Sequence, residues 1–529
     1  MTEDTILGSQ VTLFSTVILL LVGGLLAWVS ESLHRHAPKV IAIVTQIIAL
    51  YIILGWYPAS IPIEDLVSSS QWWAFYQQDW IPRFGIQLLF AVDGLSWLLL
   101  ILTVLLGIIC VIISWTEITK RSGFFHFNLL WTVAGIIGVF TALDLFLFFA
   151  FWEIMLIPMY FLIAIWGHEN RGYAALKFFL FTQISGLLML ISIVVLAILY
   201  QQQFGVFSFN YFDLLKLNIP LDLATWVCLG FLIAFMVKLP ALPFHTWLPD
   251  AHTEAPTAGS VILAAVLLKT GAYGIIRFVL PIFPEVIPLI APTVMMIGAV
   301  GVIYGAILAF AQTDLKRLVA YTSVSHMGFV LLGVFALNER AMQGAVMQLF
   351  AHGFSTAALF ILVGGLQERL HTRDMRKMGG FWQLAPKLAV ATLFFAIASL
   401  GLPGLGNFVA ELLVLIGSFP VDPVATIIAS IGLVLAAVYS LTMAQRVLFG
   451  DVPDYLKSNT KGKFFLPDLY PREKWVMFSM AIALIWLGLF PQPVFHLSQN
   501  AVNQVLSAAT NAKTTDIAST SFLIQGAGL

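Results

Sequence analysis

Six ionisable side chains lie inside long apolar stretches of this 529-residue chain. A charged group in the hydrocarbon core of a membrane is disfavoured by about 3 kcal/mol, so such residues usually mark an ion pathway or a partnered structural site. Burial in a low dielectric favours the neutral forms of Lys and Glu, which brings both towards proton exchange. The six therefore predict a row of groups that exchange protons. They are Glu153, Lys238, Lys269, His326, His352 and Glu411.

One lysine and one glutamate are candidates for a controlling pair. An opposite charge that comes close to a buried Lys favours its protonated form. A Glu that approaches or leaves that Lys would therefore load or discharge it, and Glu153 is the candidate partner of Lys238. For His326 and His352 an alternative stays open, because a single His inside a span is often a hydrogen-bonded packing residue.

The elements that must hold these residues are membrane-spanning helices. The chain is 60% hydrophobic and only 10% charged, with a mean hydropathy of +0.95, whereas soluble domains are roughly 25% charged. Apolar runs of about 20 residues recur without the alternation of a β-barrel. The prediction is an all-α integral membrane protein of about 14 spans. Their centres are predicted at about residues 20, 48, 103, 133, 155, 188, 232, 268, 298, 326, 353, 395, 436 and 484.

No soluble domain is expected, so residues 1–529 form a single polytopic membrane domain. Most of the 26 Lys and Arg fall on one side when loops are assigned alternately to the two faces. The positive-inside rule makes that side cytoplasmic and, with an even number of spans, places both termini on the outer face. Residues 58–85, rich in Trp, and the basic stretch 450–474 are the longest polar segments. Cys110 and Cys228 lie in apolar runs and are predicted to be packing residues.

Two spans carry helix breakers in matching sequence. Pro240 and Pro243 should interrupt the seventh span just after Lys238, because Pro removes a backbone donor. The sequence LPAL there, residues 239–242, is echoed by LPGL at residues 402–405, before Glu411 in the twelfth span. Paired broken helices are typical of transporters built from two repeats around an ion path.

Several long motifs point to a family. FFAFWEIMLIPMYFLIAIWGHE, KLPALPFHTWLPDAHTEAPTAGSVILAAVLLKTGAYG, AFAQTDLKRLVAYTSVSHMGFVLLG, HTRDMRKMGG and LGLPGLGNFVAE resemble the antiporter-like subunit M family of bacterial respiratory complex I. The resemblance covers nearly the whole chain. It implies 14 helices with two inverted five-helix repeats, at approximately residues 124–280 and 286–450, and with helices 7 and 12 broken.

The resemblance also implies roles for seven residues in proton translocation. In chain order they are a secondary glutamate near the cytoplasm, the fifth-span glutamate, the broken-helix lysine, the lysine of the central axis, two bridging histidines and the terminal glutamate: Glu117, Glu153, Lys238, Lys269, His326, His352 and Glu411. Protons are expected to move from the cytoplasmic side through the lysines and histidines and to leave near Glu411.

The implied function is that of a non-redox, proton-translocating subunit of NADH-quinone oxidoreductase in the bacterial inner membrane. FMN, iron-sulfur clusters, NADH and quinone would bind in other subunits, with no cofactor or metal in this chain. The expected partners are the lipid bilayer and the other membrane-arm subunits, especially the two other antiporter-like subunits, and no nucleic acid. The alternative is a subunit of a multi-subunit sodium/proton antiporter. Glu411 separates the two, because a lysine is expected at this position in that antiporter.

Overall fold

The computed structural model describes residues 3–58, 72–453 and 467–525. Helices dominate these ranges. The first nine longer helices are α1 Glu3–Val29, α2 Ala37–Gly55, α3 Gly94–Glu117, α4 Ser122–Thr141, α5 Leu145–Trp166, α6 Arg171–Phe204, α7 Leu221–Lys238, α8 Trp247–Glu254 and α9 Thr257–Ile282. The remainder are α10 Ile287–Ala311, α11 Leu315–Phe335, α12 Glu339–Leu370, α13 Pro386–Ser399, α14 Gly406–Ser418, α15 Pro423–Leu448, α16 Pro471–Leu489 and α17 Gln492–Gln525.

The membrane architecture follows the hydropathy of the chain. Within the described residues, 12 helices are long and apolar enough to cross a membrane, or up to 13 if the bent pair α16 and α17 counts as one span. Each predicted span centre falls inside a helix. The all-α membrane fold is therefore confirmed, while the count of 14 and the inverted repeats stay predictions.

Short acidic or amide side chains start many of the helices. Each accepts a hydrogen bond from a backbone N–H three residues on, which satisfies a donor that has no partner inside the helix. Such caps begin α3, α5, α11, α12 and α15. The capping residues are Asp93, Asp144, Asp314, Asn338 and Asp422.

The centre of the molecule is built by three almost fully enclosed helices, α9, α11 and α12. Two π-helical turns, Leu263–Leu267 and Ile275–Val279, interrupt α9 on either side of Lys269. Such turns occur mostly as local bulges and are frequent at functional sites. These three helices hold Lys269, His326 and His352, so the fold places the ionisable groups at its best shielded position.

Both predicted helix breaks are confirmed. The α7 helix ends at Lys238, and an irregular segment leads to α8. The α13 helix ends at Ser399, and α14 starts at Gly406 with Glu411 in its second turn. Non-helical backbone at this depth is tolerated only where protein or a water-lined cavity satisfies it.

The polar segment before α3 contains two strands. Strands β1 Ala74–Ile81 and β2 Ile86–Val92 form an antiparallel hairpin, although the chain was predicted to be all-α. Strand β1 consists largely of polar and aromatic residues. Gly85 lies in the turn between the strands, in a left-handed conformation that favours glycine (φ 66°). Residues 59–71 of the Trp-rich stretch and residues 454–466 of the basic stretch lie outside the described residues.

Candidate functional site

Five of the six predicted intramembrane groups are almost completely buried. Lys238, Lys269 and His352 have no exposed surface, and His326 and Glu411 are 2% exposed. Glu153, on α5, is partly buried. A buried charge is costly unless it is paired or hydrogen-bonded, so the partners of each group decide what it does.

Lys269 and His352 are in direct contact. The Lys269 Nζ lies 2.7 Å from the Nδ1 of His352 and donates to the carbonyl of Ala264 at 2.6 Å. The Ala264 carbonyl belongs to the first π-helical turn of α9, which brings it back to its own lysine. The structure thus joins a proton donor on α9 to a proton acceptor on α12.

The two histidines follow each other across the centre. The rings of His352 and His326 meet edge to face with their centroids 5.5 Å apart. His352 Nε2 has no hydrogen-bond partner among the described residues. This is the one step of the series without a direct hydrogen bond, so transfer here needs a ring rotation or a bridging water.

His326 is also hydrogen-bonded to Glu411. Its Nδ1 lies 3.0 Å from Glu411 Oε1, and the amide of Gln348 lies 3.3 Å from both atoms. On the other side of the ring, Nε2 is 3.2 Å from the Ser399 hydroxyl and 3.5 Å from the Tyr439 hydroxyl. We call the connected set Lys269, His352, His326 and Glu411 the central chain.

The far oxygen of Glu411 points to the break between α13 and α14. Oε2 has no hydrogen-bond partner in the described part of the chain. A Cβ added at Gly401 would lie 2.8 Å from it, and Gly401 has a left-handed backbone (φ +80°). The central chain therefore ends at the irregular backbone around Gly401, where a Cβ would crowd this oxygen.

Lys238 has a different environment, which we call the Lys238 site together with Glu153, Trp152 and Phe178. The ammonium faces the rings of Trp152 and Phe178, 5.0 and 5.7 Å from their centroids. It has no hydrogen-bond partner among the described residues. Lys238 and Glu153 interact electrostatically, but no ion pair within 4.0 Å joins them. The structure brings the pair together without closing the contact.

Glu117 is the last residue of α3. Its carboxylate accepts hydrogen bonds from the backbone N–H and the hydroxyl of Thr257, both at 3.1 Å. Thr257 is the first residue of α9, so Glu117 caps the helix that carries Lys269. This contact provides a structural role for Glu117 besides the secondary one that the family resemblance implies.

Sequence reasoning missed several polar residues of the site. Gln348, Ser399 and Tyr439 surround His326. His252 stacks on Phe360 at 4.8 Å, and both of its buried ring nitrogens lack a hydrogen-bond partner within the described part of the chain. An uncharged polar side chain is less costly in a membrane-spanning helix than a charged one. Gln348, Ser399 and Tyr439 therefore did not stand out in the apolar runs that contain them. His252 stood in a quoted motif, beside the seventh-span break, and that position was the available signal.

The cysteines have a simple role. Cys110 and Cys228 are free and buried, and the Cys110 thiol donates to the carbonyl of Ala258 at 3.5 Å. Their prediction as packing residues is confirmed. Among the described residues, no group of three or more His, Cys, Asp or Glu is placed to hold a metal ion.

Comparison with known proteins finds relatives along nearly the whole chain. Residues 142–436 match the family model described as NADH:quinone oxidoreductase/Mrp antiporter, TM. NADH-quinone oxidoreductase subunit M of Escherichia coli K12 is 48% identical over 94% of this chain and 98% of its own length. The subunit M of Pseudomonas aeruginosa is 50% identical over 93% of this chain and 97% of its own.

A solved structure shares the fold. A chain of respiratory complex I from Thermus thermophilus with bound NADH superimposes with a TM-score of 0.82 at 28% identity, covering 94% of this chain and 99% of that chain.

Proposed function

The chain belongs to the subunit M family of NADH-quinone oxidoreductase, and from that premise we propose that the central chain and the Lys238 site are its proton path. The chain is thus an antiporter-like, proton-translocating membrane subunit of respiratory complex I, and its partners are other subunits of that complex. The observation that carries the proposal is the buried series from Lys269 to Glu411, with contacts of 2.7 and 3.0 Å at its two ends.

In the proposed mechanism a proton reaches Lys269, passes to His352 and His326, and leaves by Glu411. Each histidine has two ring nitrogens, so it can receive a proton at one and give a proton from the other. The Lys238 site controls the path. When Glu153 approaches Lys238 the ammonium is stabilised, and when Glu153 moves away burial favours loss of the proton.

The finer assignments are part of the same proposal. The subunit acts without redox chemistry of its own, and FMN, iron-sulfur clusters, NADH and quinone bind to partner subunits. The two other antiporter-like subunits are proposed as neighbours in the membrane arm. The protein resides in the bacterial inner membrane, with both termini on the outer side and protons moving outward. The distribution of Lys and Arg supports this orientation.

The sodium/proton antiporter remains the competing function, since the matched family model covers both kinds of subunit. The glutamate at position 411 and the names of the relatives that are about half identical favour complex I. An affinity-tagged copy should therefore co-purify with inhibitor-sensitive NADH-quinone reductase activity. A stable assembly that contains no flavin and oxidises no NADH would instead support the antiporter.

The proton path is tested on the same purified complex in liposomes. His326→Leu interrupts the central chain between His352 and Glu411, and we expect proton pumping per NADH oxidised to fall by about tenfold or more. His371→Leu is the matched control, since His371 lies in an exposed loop. Normal pumping by a fully assembled His326→Leu complex would reject the path.

A further inference from the structure

A polar cavity lies beside the buried centre, on the side predicted to be cytoplasmic. Its volume is about 740 Å³ and it opens to the surface. Loops after α5, before α11 and after α12 form its walls, and the last of these is the HTRDMRKMGG motif. The polar side chains that line it include His168, Arg171, Asp314, Gln367, His371 and Arg373. Neither the central chain nor the Lys238 site uses these residues.

His168 connects this cavity to a buried lysine. Its Nε2 lies 3.2 Å from the Nζ of Lys316, while the amide of Gln367 lies 3.4 Å from its Nδ1. Lys316 has no exposed surface, and its ammonium also donates to the Ala255 carbonyl at 2.9 Å. The imidazole therefore stands between the wall of the polar cavity, where Gln367 contacts its Nδ1, and an enclosed lysine, which contacts its Nε2.

The ring of His168 is neutral near pH 7. His168 lies in the loop after α5, outside the spans, and burial, followed by the charges of Lys316 and Arg373, lowers its pKa from 6.5 to about 3. A neutral imidazole carries one N–H and one acceptor nitrogen. It can accept a proton on the cavity side as it gives one up on the other, without a long-lived imidazolium.

Besides Glu117, the buried His252 is an ionisable side chain near Lys316. It lies on α8, one turn before Ala255, whose carbonyl accepts from Lys316. Both Lys316 and Lys269 act electrostatically on the His252 ring, and neither of its nitrogens has a hydrogen-bond partner among the described residues. A buried imidazole with both nitrogens free is costly unless it serves transfer or binds water.

We propose that His168 and Lys316 form a proton-uptake relay that leads from the polar cavity, past His252, to Lys269 of the central chain. The relay rests on the proposed function and adds the groups through which protons reach the central chain. The imidazole of His168 passes the proton and Lys316 stores it until Lys269 is empty.

A purely structural role for the imidazole is not required by the fold. The loop is held by a backbone bond from His168 N–H to the Glu254 carbonyl at 2.9 Å and by Asn170 N–H to the Glu254 carboxylate at 2.8 Å. The opposite wall is held by Arg373, which pairs with Asp314 at 3.0 Å and donates to the Thr253 carbonyl. Removal of the ring should therefore leave the cavity in place.

The test uses the complete complex in liposomes with His168→Ala. We expect the rate of proton pumping to fall by at least about threefold and to recover when imidazole is added on the cavity side, since the cavity has room for a free imidazole. His371→Ala is the matched control, because His371 lines the same cavity and makes no side-chain bond to Lys316. Imidazole is also added to the unmodified complex to measure its effect on the proton gradient.

Three variants decide the outcome. Normal pumping by His168→Ala, or a loss that imidazole does not restore, would overturn the relay. Lys316→Met provides a second test, and normal pumping by that variant would overturn it as well. Lys269→Ala in the same assay separates the two proposals. If Lys269→Ala pumps normally, the proton path itself is wrong. If Lys269→Ala loses pumping while His168→Ala and Lys316→Met pump normally, only the uptake relay is rejected.

Discussion

The central chain and the Lys238 site hold the same kinds of groups in opposite conditions. In the central chain, Lys269 and Glu411 each contact a histidine, at 2.7 and 3.0 Å. In the Lys238 site, the lysine ammonium faces only aromatic rings, and Glu153 Oε1 has no hydrogen-bond partner among the described residues. Each region includes a residue next to a helix break, Lys238 at the end of α7 and Glu411 in α14.

This difference in contacts favours different roles for the two regions, proton conduction by the central chain and control of it by the Lys238 site. Two of the three steps of the central chain join groups that are already hydrogen-bonded and can exchange protons with little rearrangement. A buried ammonium without a hydrogen-bonding partner is poorly stabilised, so its protonation depends strongly on where the nearest carboxylate stands. We infer that the central chain conducts, and that an approach of Glu153 to Lys238 is the step on which the rest of the complex acts.

The largest expected effect is at Lys238. Lys238→Ala removes the controlled proton and should reduce pumping to less than about a tenth. Lys238→Arg should also fail although it retains the charge and the aromatic contacts, because Arg does not release its proton at physiological pH. Pumping is measured as the pH-sensitive dye response in membrane vesicles per amount of assembled complex.

The control for this prediction is Lys216→Ala, which removes a lysine whose side chain is 61% exposed and pairs with Asp213. A Lys238→Ala complex that assembles fully and pumps at the normal ratio would show that the Lys238 site has no part in translocation.

At the end of the central chain, Glu411→Gln removes the carboxylate that contacts His326 but keeps the shape of the side chain. We expect pumping to fall by about three- to tenfold, since a proton can no longer be taken from the imidazole at this point. Glu339→Gln is the matched control, because Glu339 is exposed and bonds to Gln499. An unchanged ratio of protons to NADH would remove Glu411 from the path.

The Lys238 site can also be disturbed without touching either charge. In Gly186→Ala the new methyl would lie 2.8 Å from Glu153 Oε1, so the carboxylate must shift. Because a displaced reacting group slows its reaction, we expect the shifted Glu153 carboxylate to lower the rate of proton pumping by about threefold. Ala favours a helix more than Gly does by about 1 kcal/mol, so a loss of pumping could not be attributed to a weaker α6.

Gly172→Ala, on the same helix, adds its methyl to open space and serves as the control. Equal pumping by the two glycine variants would mean that the exact position of Glu153 is unimportant, and the contrast between control and conduction would lose its basis.

The smallest expected effect is that of Tyr439→Phe. The Tyr439 hydroxyl lies 3.5 Å from His326 Nε2, a long contact in which the Ser399 hydroxyl also takes part. Its removal should lower pumping by about twofold at most, as expected for one weak hydrogen bond. A loss as severe as that of Lys238→Ala would place the hydroxyl on the proton path itself.

Much of the fold was predictable because its signals are local. Runs of apolar residues set the spans, and Pro240 and Pro243 end α7 since a proline cannot donate the helical hydrogen bond. The hairpin of β1 and β2 was not predicted, because the polar and aromatic segment that begins it is also typical of an interfacial loop. Lys238, Lys269 and Glu411 stood out in the sequence because a charge in an apolar run is rare.

What the sequence by itself determined is therefore which residues are ionisable within the membrane and where the helices break. Only the tertiary structure decided which of them meet. Lys269 and His352 are 83 positions apart, and His168 and Lys316 are 148 apart, so each contact depends on how whole helices pack. The structure also showed that Glu153 and Lys238 interact without an ion pair within 4.0 Å, since the separation of side chains on α5 and α7 follows from packing rather than from any pattern along the chain.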